Sequence, residues 1–356
     1  MTLSPLAQEA LVATLTILLV VGTLLGLFSV MTWVERRTLA FMQFRLGPNR
    51  AGPFGILQPI ADGIKLFFKE EVMPAAADKW AFLAAPVVAV TMALLATAVI
   101  PYGPPFTLGR WSVLPEWLRG RTLQIQIADL EVGLLWIFAI AALGVYGVVL
   151  AGWAANNKYS LLGGLRSSAQ MFSYELALTL SWIGLIMAAG SFRIDDIVAA
   201  QAGWFVRWNA IAQFPAFLVY FVAATAEVAR IPFDLPEGET EIVAGFHTEY
   251  SSMRFALVQM AEYINMITVS VLAANLFLGG WHSGIPWVPE TLGGFPLGFL
   301  WWGAKVAFVL FVFIWLRGTL PRFRYDQLMH FGWKVLIPVA GVWVMGYSVW
   351  IVLGSR

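Results

Sequence analysis

The sequence predicts an all-α polytopic membrane protein with about eight transmembrane helices. Of its 356 residues, 60% are hydrophobic and only 12% are charged, and the mean hydropathy is +0.76. A soluble domain of this length needs far more polar surface, so the composition indicates a chain that crosses a bilayer repeatedly. Stretches of about 20 apolar residues, long enough to cross the hydrocarbon core, recur along it. We expect one membrane domain over residues 1–356, with spans at about 10–34, 80–100, 130–152, 170–190, 212–229, 255–279, 298–316 and 333–353.

The composition also excludes several classes of function. The sequence contains no Cys, which excludes disulfides, thiolate-held iron–sulfur clusters and a cysteine nucleophile. Its three His residues are too scattered for a haem or a metal site. The net charge of +1 argues against a nucleic-acid partner. Any redox cofactor therefore belongs to a diffusible ligand or to a partner subunit.

The distribution of charge predicts how the chain is oriented. The first apolar segment has no basic residue before it and ends in Glu35-Arg36-Arg37. A cleaved signal peptide has the reverse order, so we expect an uncleaved anchor. Most of the 22 Lys and Arg residues lie in the first, third, fifth and seventh loops. The positive-inside rule places these loops in the cytoplasm and both termini outside.

The first loop combines turn signals with a short amphipathic helix. Gly47-Pro48 and Gly52-Pro53 break the chain, and Pro59 suits the first turn of a helix. The apolar and the charged side chains would lie on different faces of that helix: Ile56, Ile60, Ile64 and Phe67 on one, and Asp62, Lys65 and Lys69 on the other. The helix is too short and too charged to span a bilayer. We expect it to lie along the interface or under a partner, with an ordinary surface helix as the alternative.

Several ionisable residues lie in or beside the apolar segments. They are Glu131, Glu175, Glu227 and Glu262, each near a different segment, and Lys305 in the seventh. An ionisable group within a membrane span is costly, so each is a functional candidate. The alternative is a neutral packing group or a simple ion pair, such as Glu227 with Arg230 one turn away.

The fifth loop and its flanks form a dense acidic stretch over residues 227–263. Arg230 and Arg254 oppose seven acids: Glu227, Asp234, Glu237, Glu239, Glu241, Glu249 and Glu262. Asp234, Pro236 and Glu237 also fit an ordinary helix start, with the aspartate as the cap. That alternative leaves most of the acids unexplained, so the stretch indicates a site that handles protons or cations. In the basic seventh loop, Arg317, Arg322 and Arg324 are expected to be positive-inside anchors.

Two long motifs resemble one protein family. The first runs from Glu35-Arg36-Arg37 through Arg45-Leu-Gly-Pro-Asn to Gln-Pro-Ile-Ala-Asp62-Gly-Ile-Lys65. The second runs from Arg230-Ile-Pro-Phe-Asp234-Leu-Pro-Glu237-Gly-Glu239-Thr-Glu241 through Thr-Glu249-Tyr250 to Ala-Glu262-Tyr263. On these residues the chain resembles the quinone-site membrane subunit (the H-type subunit) of respiratory complex I, the proton-pumping NADH:quinone oxidoreductase. The resemblance covers nearly the whole chain and is weakest in the second and sixth loops.

The resemblance implies a subunit of an enzyme complex that has no redox centre of its own. Loops 35–79 and 230–254 would form the quinone and partner face, against hydrophilic-arm subunits that carry the terminal iron–sulfur cluster and the quinone site. Those partners would bind NADH, FMN and the clusters. Small membrane subunits and antiporter-like subunits would adjoin the chain in a bacterial inner membrane, with both termini periplasmic.

The resemblance also implies two sets of site residues. The residues implied to bind the quinone substrate are Arg36, Arg45, Asp62, Lys65, Phe67, Arg230 and Asp234. The residues implied to carry protons and to couple pumping to quinone reduction are Glu131, Glu175, Glu227, Glu237, Glu239, Glu241, Glu249 and Glu262.

Three other functions stay open from the residues alone. The homologous subunit of a membrane-bound hydrogenase or formate hydrogenlyase would carry nearly the same motifs. An independent cation or proton transporter is expected to have internal repeats, which this sequence lacks. A pure membrane anchor explains the basic and amphipathic loops but leaves the glutamates within the spans unexplained.

Overall fold

Most of the protein is helical in a computed structural model that describes residues 4–107, 117, 120–235, 238–289, 291–292 and 295–354. In chain order the helices are α1 (Pro5–Met42), α2 (Gln58–Phe68), α3 (Lys79–Thr97), α4 (Gly133–Ala154), α5 (Lys158–Ala189), α6 (Ile194–Ala200), α7 (Asn209–Ala212), α8 (Phe214–Glu227), α9 (Glu239–Ile242), α10 (Ser252–Leu276), α11 (Gly298–Thr319), α12 (Tyr325–Phe331) and α13 (Ile337–Gly354). A π-helical turn, Gly332–Leu336, joins α12 to α13. Two short antiparallel pairs complete the described part: β1 (Phe106–Thr107) with β2 (Thr122–Leu123), and β3 (Thr291–Leu292) with β4 (Phe295–Pro296).

Seven helices of the described part are long and apolar enough to cross a membrane. They are α1, α3, α4, α5, α10, α11 and the continuous stretch Tyr325–Gly354. The predicted fifth span is represented by α8, which is apolar but has only 14 residues. These findings confirm the prediction of an all-α polytopic membrane protein.

Capping residues explain where several long helices begin and end. The side chain of Asp78 accepts hydrogen bonds from the backbone N–H groups of Trp80 and Ala81 at the start of α3. Asn157 accepts from the N–H of Tyr159 at the start of α5 in the same way. At its other end, α5 stops at Gly190, whose φ of +67° is the left-handed conformation that glycine adopts readily.

The core of the bundle consists of α5, α8 and α10, with α3 and α4 packed on one side and α1 and α11 on another. Small residues allow the backbones to approach closely, as is common in membrane bundles. A Cβ atom added at Gly147 on α4 would lie 2.9 Å from Ala89 on α3. One added at Gly163 on α5 would lie 2.6 Å from the backbone of Gly245 and Phe246.

The loops gather at two ends of the bundle. At one end, the N–H of Val72 donates to Oγ of Ser251 at 3.0 Å, and the N–H of Phe323 donates to the carbonyl of Pro232 at 3.0 Å. At the other end, Nδ2 of Asn275 donates to the carbonyl of Pro101 at 3.0 Å. We call these the loop-one end and the opposite end. Helices α5 and α10 run from the loop-one end to the opposite end, and α8 runs back.

The alternative helix start at Asp234 does not form. The helix of the fifth loop begins at Glu239 with Gly238 as its cap, and the Asp234 carboxylate binds Arg322 instead. The fifth span, expected at about 212–229, is helical over Phe214–Glu227, and the side chain of Gln213 just before it donates to the carbonyl of Gly184.

Candidate functional site

Glu35 is the centre of a buried charge cluster at the loop-one end of α1. It is 3% exposed. Its Oε1 is ion-paired with Nη1 of Arg317 and lies 3.7 Å from Nη1 of Arg230, while its Oε2 accepts a hydrogen bond from the hydroxyl of Tyr263 at 2.7 Å. The Arg230 guanidinium lies over the Tyr263 ring, 4.6 Å from its centroid. Two arginines therefore compensate one buried carboxylate, which ties α1 to α10, α11 and the turn after α8.

The turn after α8 is held in place by Gln170 on α5. Nε2 of Gln170 donates to the backbone carbonyls of Ala226 and Phe233, both at 2.8 Å, and the residue is completely buried. Within the turn, Ala229 has φ +51°, a conformation that non-glycine residues rarely adopt. The turn ends α8, and the chain then leads from Glu227 to Arg230 within three residues.

The simple ion pair between Glu227 and Arg230, which the sequence left open as an alternative, is not among the contacts of the described residues. Arg230 pairs with Glu35, and Asp234 pairs with Arg322 at 3.1 Å. Oε2 of Glu227 is buried and has no hydrogen-bond partner among the described residues. The turn thus separates the Glu227 and Arg230 side chains. Arg230 points into the charge cluster, and Glu227 lies in a different part of the bundle interior.

Glu227 lines an internal cavity between α3, α4, α5, α8 and α10. Three of the predicted carboxyl residues line it: Glu175, Glu227 and Glu262. Much of the rest of its lining is alanine, glycine and larger apolar residues, with Asn265 and Thr268 among the polar exceptions. We call it the carboxyl cavity. Its volume is about 100 Å³, and because one water needs roughly 10–15 Å³ of such space, several waters fit inside.

Two acids of the fifth loop bind near the first turns of α5. Glu241 pairs with Arg166 at 2.7 Å, and Oε1 of Glu249 accepts a hydrogen bond from Nδ2 of Asn157 at 2.6 Å. Burial raises the pKa of the neighbouring Tyr250, whose hydroxyl donates to a backbone carbonyl at 3.2 Å. Glu237 lies outside the described residues, as does the side chain of Glu239.

The predicted quinone residues of the first loop lie at the surface of the loop-one end. Arg36 forms an ion pair with Asp62, so α2 is joined to the end of α1. Arg45 and Lys65 are exposed, and the ring of Phe67 is 68% exposed. No residue of α2 is buried, so both its apolar and its charged faces are open in the isolated chain.

Glu131 is the predicted site residue that lies apart from the rest. It is exposed and precedes α4 by two residues at the opposite end, away from the carboxyl cavity. Conversely, five residues of the site were not predicted as such: Glu35, Gln170, Tyr263, Arg317 and Arg322. Glu35 stands next to Arg36 in the first motif, which is the one signal that could have identified it. Among the described residues, no group of three or more His, Asp or Glu side chains could hold a metal ion.

Comparison with known proteins gives consistent matches over nearly the full length of the chain. A family model described as NADH dehydrogenase matches residues 15–348. The chain is 49% identical over 352 residues to H subunit 1 of the NADH-quinone oxidoreductase of Geobacter metallireducens, a match that covers 99% of both chains. It is 46% identical over 351 residues to H subunit 2 of the same enzyme from Koribacter versatilis, covering 98% of this chain and 99% of that one. The H subunit 2 of Geobacter sulfurreducens is 50% identical over 325 residues, covering 91% and 92%.

Proposed function

Because this chain belongs to the NADH dehydrogenase family and is an H-type membrane subunit of complex I, we propose that it forms part of the quinone chamber and couples quinone reduction to proton translocation. Quinone, as ubiquinone or menaquinone, is the substrate. NADH, FMN and the iron–sulfur clusters belong to partner subunits. The names of the relatives favour this reaction over that of a hydrogenase.

One observation carries the proposal: a single turn joins two buried ionisable sites. Arg230 lies in the charge cluster around Glu35, and Glu227, three residues earlier, lines the carboxyl cavity. Gln170 fixes both ends of this turn through the carbonyls of Ala226 and Phe233. A change of charge at the loop-one end therefore has a short, rigid connection to the carboxyl cavity.

The chamber is assigned to the loop-one end. Arg36, Asp62 and Lys65 supply charged and hydrogen-bonding groups there, and the exposed Phe67 supplies apolar surface for a quinone ring or tail. Hydrophilic-arm subunits close the chamber over loops 35–79 and 230–254. This arrangement requires the loop-one end to face the cytoplasm of a bacterium, with both termini of the chain in the periplasm.

Reduction of the quinone drives the coupling. Quinone accepts two electrons from a partner's iron–sulfur cluster and two protons, so the loop-one end gains and loses charge in each cycle. Arg230 and Glu35 respond to that charge, and the turn that connects Arg230 to α8 shifts the balance between protonated and ionised Glu227. Waters in the carboxyl cavity, hydrogen-bonded to Glu227, would connect it to Glu175 and Glu262.

Glu175 is the carboxyl from which protons leave the chain sideways. It lines the carboxyl cavity and also borders a groove on the surface of the bundle, beside Phe172, Thr179 and Trp333. Small membrane subunits and antiporter-like subunits adjoin this groove. Protons from the loop-one end reach the cavity by way of the acids of the fifth loop, including Glu241 and Glu249.

The test is the variant Glu227→Gln in the intact complex, purified from its native membranes and reconstituted in liposomes. A side chain that transfers protons contributes at least about a hundredfold to a rate, so we expect proton pumping driven by NADH to fall by roughly that factor. Quinone reduction should fall with it, because the two are coupled. The measurements are the NADH:quinone reductase rate and the pH gradient.

The matched control is Glu9→Gln, which changes an exposed glutamate near the start of α1. It should leave both rates unchanged. A Glu227→Gln complex that assembles and keeps wild-type reduction and wild-type pumping contradicts the proposed function. Hydrogen oxidation in place of NADH oxidation by the purified complex would contradict the assigned reaction.

A further inference from the structure

A layer of buried side chains lies at a constant distance from the three carboxyls of the cavity. Trp182 follows Glu175 by seven residues on α5, and Val269 follows Glu262 by seven on α10. Tyr220 precedes Glu227 by seven on α8, which runs in the opposite direction. Seven residues are two helical turns, or about 10 Å along each axis. The three positions therefore form one layer, displaced from the carboxyls toward the opposite end.

Aromatic rings pack within this layer and just beyond it. The rings of Phe138 and Trp182 have centroids 4.3 Å apart, those of Trp182 and Tyr220 are 6.1 Å apart, and those of Tyr220 and Phe277 are 4.9 Å apart. Trp182, Tyr220 and Phe277 are at most 1% exposed. We call these four residues the aromatic layer. Phe138 and Trp182 also line the carboxyl cavity, so the layer forms part of its wall toward the opposite end.

The aromatic layer includes the hydroxyl of Tyr220, which already forms a hydrogen bond. It donates to the carbonyl of Val269 at 2.6 Å, so its proton is not available to a water chain. Beyond the layer, the amide N–H group of Gln213 is likewise occupied, because it donates to the carbonyl of Gly184. Two buried polar atoms near the layer, Oε1 of Gln213 and Nε1 of Trp182, have no hydrogen-bond partner among the described residues. The apolar side chains buried at this level include Leu185, Ile194, Ile197 and Val198. A proton leaving the carboxyl cavity in this direction therefore meets mainly aromatic rings and aliphatic side chains.

We propose that the aromatic layer is a proton barrier that closes the carboxyl cavity to protons toward the opposite end. A proton crossing the layer would lose its hydrogen-bonded waters in an apolar medium, which is strongly unfavourable. Protons that enter from the loop-one end are thereby confined to the lateral path at Glu175. Trp182 is the central residue of the barrier, because its ring contacts both Phe138 and Tyr220. The proposal rests on the role of the carboxyl cavity in proton transfer given above.

The experiment uses the intact complex carrying Trp182→Ala, reconstituted in liposomes. With an imposed pH gradient and no NADH, removing the indole opens space for water across the layer, and we expect passive proton leak to rise about tenfold. With NADH, quinone reduction should stay near the wild-type rate while the steady pH gradient falls. The control Trp153→Ala removes an exposed tryptophan from α4 and should leave the leak unchanged.

Further variants keep the test decisive. Phe138→Ala opens the same layer and should also leak, so it replaces Trp182→Ala if that complex does not assemble. Tyr220→Phe keeps the ring and removes only the hydroxyl, and its passive proton leak should equal that of the wild type. A wild-type rate of passive proton leak in the alanine variants overturns the proposal. A loss of pumping in Tyr220→Phe also overturns it, because the hydroxyl would then be a proton relay.

Failure of the barrier and failure of the proposed function give different results. Passive leak is measured without NADH and does not depend on coupling. Unchanged pumping in Glu227→Gln refutes the coupling role while the leak of Trp182→Ala still reports on the barrier. A wild-type rate of passive proton leak in Trp182→Ala refutes the barrier but not the proposed function.

Discussion

Glu35 and Glu227 are both buried carboxyl residues, but their surroundings differ. Glu35 has three partners, Arg317, Arg230 and Tyr263, which together compensate its buried carboxylate. Glu227 has no basic partner within ion-pair distance among the described residues, and it faces a cavity with room for water. The first arrangement holds helices together. The second suits the role that we propose for Glu227 in proton transfer.

We therefore expect Glu35→Gln to act on stability rather than on a single proton-transfer step. Neutralising the carboxylate leaves Arg230 and Arg317 partly buried without their counter-charge. Breaking a buried pair in this way costs about 3–5 kcal/mol. The yield of assembled complex and its thermal unfolding temperature should both fall. Native gel electrophoresis and a thermal shift assay of the purified complex measure these effects.

The matched change is again Glu9→Gln, because that residue pairs only distantly with Arg121 at the surface, at 3.8 Å. Surface pairs of this kind contribute about 0–1 kcal/mol. An unfolding temperature of Glu35→Gln equal to that of Glu9→Gln would mean that the buried charge cluster does not hold α1 to α10 and α11.

The site residues that could be predicted from the sequence are those whose residue type is out of place. Glu175 and Glu262 stand in apolar segments, and each does line the carboxyl cavity. Glu35 sits beside Arg36 and Arg37 at the end of a span, so its place in the first motif is the one feature of the sequence that marks it. Gln170 could not be predicted at all, because its two partners, Ala226 and Phe233, are backbone carbonyls more than fifty residues away.

At the scale of elements, α2 has little support from its own chain. It has no buried residue, and it is attached by a few polar contacts. One of these joins its C-terminal turn to α10, where Oγ of Ser252 donates to the carbonyl of Leu66 at 2.9 Å. A second follows just beyond the helix, where Arg254 pairs with Glu71 at 2.9 Å. The position of α2, and with it that of Lys65 and Phe67, depends on this attachment.

Ser252→Ala should therefore loosen α2 while leaving the bundle folded. Removing one such hydrogen bond costs about 1 kcal/mol, which corresponds to about a fivefold rise in the opening equilibrium. Amide hydrogen exchange in residues 58–68 should accelerate by that factor, and exchange in α3 should stay unchanged. Equal exchange of α2 in the variant and the wild type would show that α2 is held by other contacts.

The helices themselves were largely predictable, and the exceptions have physical causes. Apolar length located the long spans, because each must satisfy its own backbone in a bilayer. The start of α8 at Phe214 lies two residues from the expected one. The alternative helix start at Asp234 does not form, because its carboxylate binds Arg322, a partner far along the chain that local patterns do not reveal.

At the scale of the whole molecule, the two ends of the bundle differ in chemistry. The loop-one end carries the charge cluster and the exposed faces of α2. The opposite end is held by amide side chains that bond to backbone and ring N–H groups. Oε1 of Gln201 accepts from the N–H groups of Asn209 and Gly279, and Oδ1 of Asn275 accepts from Nε1 of Trp302. The first end is suited to binding partner subunits, while these amides of the second are already satisfied.

This asymmetry predicts opposite accessibility of the two ends in the membrane. Because the chain has no Cys, single substitutions provide unique labelling sites. Asn49→Cys places a thiol in the exposed first loop, and Ser4→Cys places one at the start of α1. With the loop-one end in the cytoplasm, an impermeant maleimide should label Ser4→Cys only in right-side-out vesicles. Asn49→Cys should react only in inside-out vesicles, and only after the hydrophilic arm is stripped, because we propose that the arm covers that loop. Labelling of Asn49→Cys in intact right-side-out vesicles would reverse the orientation and move the quinone chamber to the wrong side of the membrane for its electron donor.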